Sequence, residues 1–222
     1  PSKMNPIQLM LSFALVACAT TVAVHAQSVQ GDAAAGGKKN ALCVGCHGIT
    51  GYHNSFPEVH QVPKISGQNA HYLSAALQAY KSGERKHPSM RALAAGLGAQ
   101  DIADLAAYYQ SSVSSASTTS ATAEGSAKAL ALISKGGCTA CHGANLNKPV
   151  TPSYPKLAGQ HADYLYVALR AYKTHDKPFM GRNQPIMTGV VRQFSNAELK
   201  VMAEHIGSLP GDLQTLQPPR LK

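Results

Sequence analysis

The chain has 222 residues, enough for one large domain or two small ones. Its 44% hydrophobic and 14% charged content permits a packed core and excludes an intrinsically disordered chain, while the absence of Trp and only four Phe leave an interior short of large aromatics, a shortage that a buried flat cofactor would fill. The net charge of +9 is unevenly spread: residues 27–110 carry seven Lys/Arg against five Asp/Glu, and residues 127–222 carry twelve against five.

The first segment, residues 1–26, stands outside the folded body. Ile7 to Val24 is almost wholly apolar or small, Lys3 precedes it, and Val24-His25-Ala26 supplies small residues of the kind a signal peptidase reads. Cleaved export is favoured over a retained membrane anchor, since the run is short for a bilayer span. Leu15-Val16-Ala17-Cys18 resembles a lipoprotein box, but Cys18 is read first as a small residue of the apolar run. The other four cysteines lie in the body.

The body reads twice. An Ala-rich helical run, Ala33 to Leu42, leads into Cys43-Val44-Gly45-Cys46-His47-Gly48; Ser126 to Ser134 leads into Cys138-Thr139-Ala140-Cys141-His142-Gly143. Pro63-Lys64-Ile65-Ser66-Gly67-Gln68 returns as Pro155-Lys156-Leu157-Ala158-Gly159-Gln160, with a tight turn expected at each Gly-Gln. The runs from Ala70 to Lys81 and from Ala162 to Lys173 place Leu73, Leu77 and Tyr80, and Leu165, Leu169 and Tyr172, at helical spacing. Met90 stands seven residues before Leu97, and Met187 seven before Phe194. Each copy ends on a helix, Gln100 to Tyr109 and Ser195 to Ile206, the second opened by a Ser195/Glu198 capping box.

Such duplication means two domains, 27–110 and 126–222 with its tail, joined by an uncharged-to-weakly-acidic Ser/Thr-rich linker over 111–125. No segment reads as a good strand, so the expected fold is all-α.

Cys-x-x-Cys places two thiols on one side of a helical turn, where they can add to the two vinyl groups of one haem. The next residue, His, is then placed to coordinate the iron, and this spacing marks c-type haem attachment. A four-cysteine zinc site would have to join motifs from separate repeats. A thioredoxin-like dithiol needs a βαβ setting, and a disulfide within each motif would leave the adjacent His unexplained. Two covalent haem c groups are therefore expected, on Cys43 and Cys46 and on Cys138 and Cys141.

His47 and His142 are the iron ligands on one side. For the other, Met90 is the single methionine between Gln27 and the linker, and Met187 is its repeat equivalent. Met180 is the runner-up, and Met202, aligned with Leu105, is read as core. His71 aligns with Asp163, and His53, His60, His87, His175 and His205 lack counterparts, so they are read mostly as surface or loop residues. Around the irons, Pro63 and Pro155 offer carbonyls to the His Nδ1–H groups, and Tyr72 and Tyr164 either bond haem propionates or pack. Imidazole and thioether together close the iron, which suits outer-sphere electron transfer and disfavours a peroxidase.

These motifs, with Asp101-Ile102-Ala103-Asp104-Leu105-Ala106-Ala107-Tyr108-Tyr109, resemble the di-haem cytochrome c4 family from Gly31 to Leu209. The resemblance implies two class I cytochrome c domains related by a pseudo-twofold, with haems close enough for rapid internal transfer. It implies a periplasmic, often membrane-associated carrier from a quinol-oxidising complex to a terminal oxidase, with His47 and Met90 on one iron and His142 and Met187 on the other. An electron-accepting subunit of a periplasmic dehydrogenase, such as a sulfide-oxidising flavocytochrome, is the alternative. The basic C-terminal half points to a partner with an acidic docking surface, and nucleic acid is excluded as a partner of an exported haem protein. The long linker and the tail beyond Leu209 depart from the family pattern.

Overall fold

The computed structural model describes residues 29–113, 126–174 and 176–216. The expected leader, Cys18, most of the linker, His175 and the last six residues lie outside these.

In the N-terminal domain, α1 (Ala33–Lys39) starts where the Asp32 carboxylate accepts from the backbone N–H groups of Ala34 and Ala35, and Lys38 and Lys39 complement its negative end. The expected single helix up to Leu42 is broken at Asn40, after which α2 (Ala41–His47) carries the first cysteine pair. The Asn40 side chain turns inward to the hydroxyls of Tyr109 and Tyr108, which ties the break to the last helix. A two-residue hairpin, β1 (His53–Asn54) with β2 (His60–Gln61), precedes α3 (Ala70–Ser82), which Gly83 ends in the left-handed conformation at φ 86°. Then come β3 (Arg85–Lys86), α4 (Pro88–Ala95) and α5 (Ala99–Ser111).

The C-terminal domain repeats this plan with α6 (Ala127–Lys135), α7 (Cys138–His142), α8 (Ala162–Ala171), β4 (Gly181–Arg182), α9 (Pro185–Val191) and α10 (Asn196–Ser208). Both bonds of the Ser195/Glu198 capping box form at the start of α10. The fold is mostly helical, as expected, but four two-residue strands are present among the described residues where none was anticipated. They are too short to show an alternating pattern, and β3 and β4 pair with each other across the two domains, a contact that no local sequence signal specifies.

In the first domain α1 crosses α5 closely. A methyl group on Gly36 would sit 2.1 Å from the Asp104 carbonyl oxygen, so only glycine permits the approach. In the second, α8 and α10 enclose a continuous apolar core that includes Leu146, Leu165, Val191, Phe194, Leu199, Met202 and Ile206.

The domains meet through reciprocal bonds that display the pseudo-twofold. Gln68 donates to the Lys156 carbonyl and accepts from the Lys156 N–H; Gln160 does the same with Lys64. The Gly-Gln turns that aim these amides have Gly67 and Gly159 at φ 81° and 74°. Arg170 forms a two-pronged pair with Glu58 at 2.8 and 3.1 Å. The tail contributes as well: Leu213 is buried, Asp212 pairs with Lys156, and the Gln214 N–H donates to the Ser66 carbonyl in the other domain. No helix among the described residues is long and apolar enough to cross a membrane.

Candidate haem sites

Each cysteine pair sits on one short helix, and Cys43, Cys46, Cys138 and Cys141 are free, half-buried thiols. Burial pushes the Cys43 and Cys138 thiols up, so neither is primed as a thiolate for redox exchange. Among the described residues no group of three or more His, Cys, Asp or Glu is arranged to hold a metal ion.

His47 Nδ1 lies 2.9 Å from the Pro63 carbonyl oxygen, and His142 Nδ1 lies 2.9 Å from that of Pro155. A carbonyl can only accept, so Nδ1 carries the proton in both rings and Nε2 presents a lone pair. Burial lowers both imidazole pKa values; the carbonyl opposes this in each, and the Arg85 charge adds to the lowering at His47. Both rings are thus held neutral, the form in which imidazole binds iron.

The two candidate methionines occupy matching places. Met90 and Met187 are each the third residue of a helix that starts with proline, and both are partly buried. The Met90 N–H donates to His87 Nδ1 at 3.4 Å, and the Met187 N–H to Gln184 Oε1 at 2.6 Å. Met180 is half-buried ahead of β4, and Met202 lies in the apolar core at 3% exposure.

Tyr72 and Tyr164 do more than pack. The Tyr72 hydroxyl accepts from Arg85 at 3.3 Å, while the Tyr164 hydroxyl accepts from Arg85 at 2.7 Å and from Arg182 at 3.1 Å. Neither arginine was anticipated as a site residue. The available signal was spacing: Arg85 precedes Met90 by five residues, as Arg182 precedes Met187. His60 also differs from its expected loop position. It is 5% exposed, anchored by Nδ1 to the Glu58 carbonyl, and packed against Tyr164 and His87 at ring-centroid distances of 5.9 and 6.1 Å. The β1–β2 hairpin carries it inward, which a reading based on missing repeat counterparts does not register.

The cytochrome c family profile matches residues 34–112 and again 126–210. Cytochrome c4 from Pseudomonas aeruginosa is 32% identical over 184 residues, covering 81% of this chain and 89% of the relative. The crystal structure of reduced recombinant cytochrome c4 from Pseudomonas stutzeri superposes with a TM-score of 0.58 at 30% identity, covering 81% of this chain and 99% of that one. The chain belongs to the cytochrome c4 family. A thiosulfate dehydrogenase electron acceptor from Stutzerimonas stutzeri is also similar, at 30% identity over 75% of this chain and 78% of the relative.

As a cytochrome c4, the chain carries two covalent haem c groups and transfers electrons. Its residues fit that cofactor: each domain offers two free thiols on one helical turn and a neutral imidazole with its Nδ1 already satisfied. The interface adds a buried cation, Arg85, whose Nε has no protein partner. The haem iron supplies the one-electron chemistry. The protein attaches the macrocycle and orients the imidazole through the proline carbonyl.

Proposed function

We propose that this cytochrome c4 is a periplasmic electron carrier in which Cys43 and Cys46 hold one haem ligated by His47 and Met90, and Cys138 and Cys141 hold the other ligated by His142 and Met187. Its cytochrome units are assigned to residues 27–110 and 126–222. The observation that carries the reading is the repeated arrangement itself. In both domains a proline carbonyl fixes the histidine ring, and a proline-led helix delivers a methionine at its third position. A thioether ligand favours ferrous iron and raises the reduction potential, as a carrier on the oxidising side of a chain requires.

The test is spectroscopic. A pyridine haemochrome assay should count two haems per chain, and ferric protein should show the weak near-infrared band of iron bonded to thioether sulfur. Met90→Ala and Met187→Ala should each remove about half of that band. Retention of the full band in either variant would overturn the assignment for that iron.

A quinol-oxidising complex is the proposed donor and a terminal oxidase the proposed acceptor. The similarity to a thiosulfate dehydrogenase electron acceptor supports a second reading, in which a periplasmic dehydrogenase reduces the chain. Purification of the native protein with or without a dehydrogenase subunit separates the two. In either case the basic C-terminal domain is proposed to face an acidic partner. Lys173 is a poor probe of this surface, because its ammonium donates to the Phe194 carbonyl at 2.7 Å. Lys148 and Lys177 are exposed, and their change to Glu should slow partner reduction and weaken its salt dependence. Unchanged kinetics would remove the electrostatic docking claim.

A further inference from the structure

The two turns that orient His47 and His142 are held in different ways. The turn after Pro155 is held by its own domain. The Leu157 and Ala158 N–H groups donate to the Leu146 carbonyl at 2.8 and 3.0 Å, and the Gly159 N–H donates to the Ile206 carbonyl at 3.1 Å. Leu146 itself lies in the apolar core. The turn after Pro63 has one bond of this kind, from the Gly67 N–H to the Tyr109 carbonyl at 2.8 Å. Apart from the His47 bond, the other described hydrogen bonds leaving that turn cross the domain interface. Lys64 exchanges backbone bonds with the Gln160 amide, its ammonium donates to the Gly159 carbonyl at 2.7 Å, and Gln68 is tied to Lys156. The Ser66 carbonyl accepts from the Gln214 N–H at 3.0 Å.

The Gln214 bond belongs to a continuous crossing. Residues 211–216 lie beyond the last residue matched to the family profile, which is 210. They begin on their own domain, where the Asp212 N–H donates to Asn147, its carboxylate pairs with Lys156, and Leu213 is buried. They then pass over the turn that serves His47. Ser66 and Gln214 form an antiparallel bridge. A methyl group on Gly67 would sit 2.7 Å from the Asp212 carbonyl oxygen. At its far end the crossing reaches Gly48, the residue after His47, where a methyl group would sit 2.9 Å from the Leu216 carbonyl oxygen. The tail thus lies against both the turn that carries the Pro63 carbonyl and the end of the helix that carries His47.

We propose that residues 211–216 are a strap with which the C-terminal domain holds the seat of the N-terminal histidine, and that Gln214 is a positioning residue for His47. The strap rests on the haem placement given under Proposed function. The bond from His47 Nδ1–H to Pro63 fixes the ring and raises the basicity of the nitrogen that faces the iron. Because that turn is tied down from outside its own domain, the N-terminal site depends on the strap. His142 does not, since Leu146 and Ile206 hold its turn.

The test uses haem-loaded protein cut after Leu213, which ends the chain before the crossing, and cut after Leu216, which keeps it. In the reduced state, NMR follows solvent exchange of the two ring Nδ1 protons. The cut after Leu213 should speed exchange at His47 about fivefold, the effect of one ordinary hydrogen bond on a local opening equilibrium, and leave His142 unchanged. The midpoint potential of the N-terminal haem should rise, because a less basic imidazole stabilises ferric iron less, and that of the C-terminal haem should stay. The cut after Leu216 should change neither. Gln214→Pro deletes the one N–H within the full-length chain; it should repeat the His47 result and serves if the shortened chain does not fold. An unchanged His47 proton in the Leu213 cut and in Gln214→Pro overturns the strap. So does equal acceleration at His47 and His142, which would show a general loosening of the interface, and so does the same effect after the longer cut. The haem count and the near-infrared thioether band, read on every sample, keep failure of the strap distinct from failure of the haem placement.

Discussion

The two domains share one plan but fill it differently, and the difference is clearest along their last helices. Where α10 has Val201 and Ile206 against the core, α5 has Asp104 and Tyr109. Where the loop before α10 buries Phe194, the first domain has Leu97, half-exposed; Val191 is matched by Ala94. The second domain closes an apolar core from α6 through α10, whereas in the first the clustered core reduces to Leu73, Ala106 and Tyr109 with partly buried neighbours. Polar ties take up part of the difference: Asp104 accepts from the Asp32 N–H, Lys39 and Gln100, and Asn40 joins Tyr108 and Tyr109. A domain whose own side chains leave its interior thin depends more on its cofactor for apolar contact.

The largest effect should therefore follow from separating each haem from its domain. In variants refolded in vitro, Cys43→Ala with Cys46→Ala should abolish the cooperative fold of the N-terminal domain. Cys138→Ala with Cys141→Ala should leave α6, α8 and α10 protected, because their mutual packing survives. Amide hydrogen exchange mapped to each domain, with far-ultraviolet circular dichroism, reads this directly. Equal loss of protection in the two variants would show that the unequal cores do not matter to folding.

Much of this was legible in the sequence because duplication supplies an internal comparison. The cysteine pairs, the two histidines, the proline carbonyls and the Met90 and Met187 positions all repeat in order, and the structure places each pair at matching points of its domain. Contacts made between the repeats were not legible. Gln68 and Gln160 were read as turn residues, and nothing local reveals that each amide reaches the other domain's backbone. The pairing of β3 with β4, the buried arginines and the crossing of Gln214 to Ser66 are of the same kind. Periodicity reports which face of an element is apolar; it does not report what polar side chains meet when two folded units dock.

A smaller effect separates the two cores without touching the haems. Leu73 and Leu165 are the same residue at the same point of the repeat, 9% and 5% exposed. Leu165→Ala opens a cavity in a close-packed cluster and should cost about 3–4 kcal/mol; Leu73→Ala, with fewer apolar neighbours to lose, should cost about 2 kcal/mol. Urea unfolding followed domain by domain, with an unchanged dependence on denaturant, gives both values. A larger loss at Leu73 would reverse the ranking of the cores.

The smallest effect concerns pH and belongs to the first domain alone, since Val201 stands where Asp104 does. The Asp32 N–H, then Lys39 and Gln100, hold the Asp104 carboxyl down to about 2, against about 3.9 for an aspartate in an unfolded chain. A depressed carboxyl stabilises the folded state fully above its unfolded pKa, and that contribution is lost as pH falls through the folded value. Asp104→Asn should thus weaken the N-terminal domain at neutral pH, and the gap between variant and wild type should close as pH drops from about 4 to about 2. The C-terminal domain should show no such convergence, because α10 has an apolar side chain at that register. Thermal unfolding at a series of acid pH values, read by domain, distinguishes the cases. A gap that stays constant down the acid limb would mean that the Asp104 network contributes through shape and not through charge.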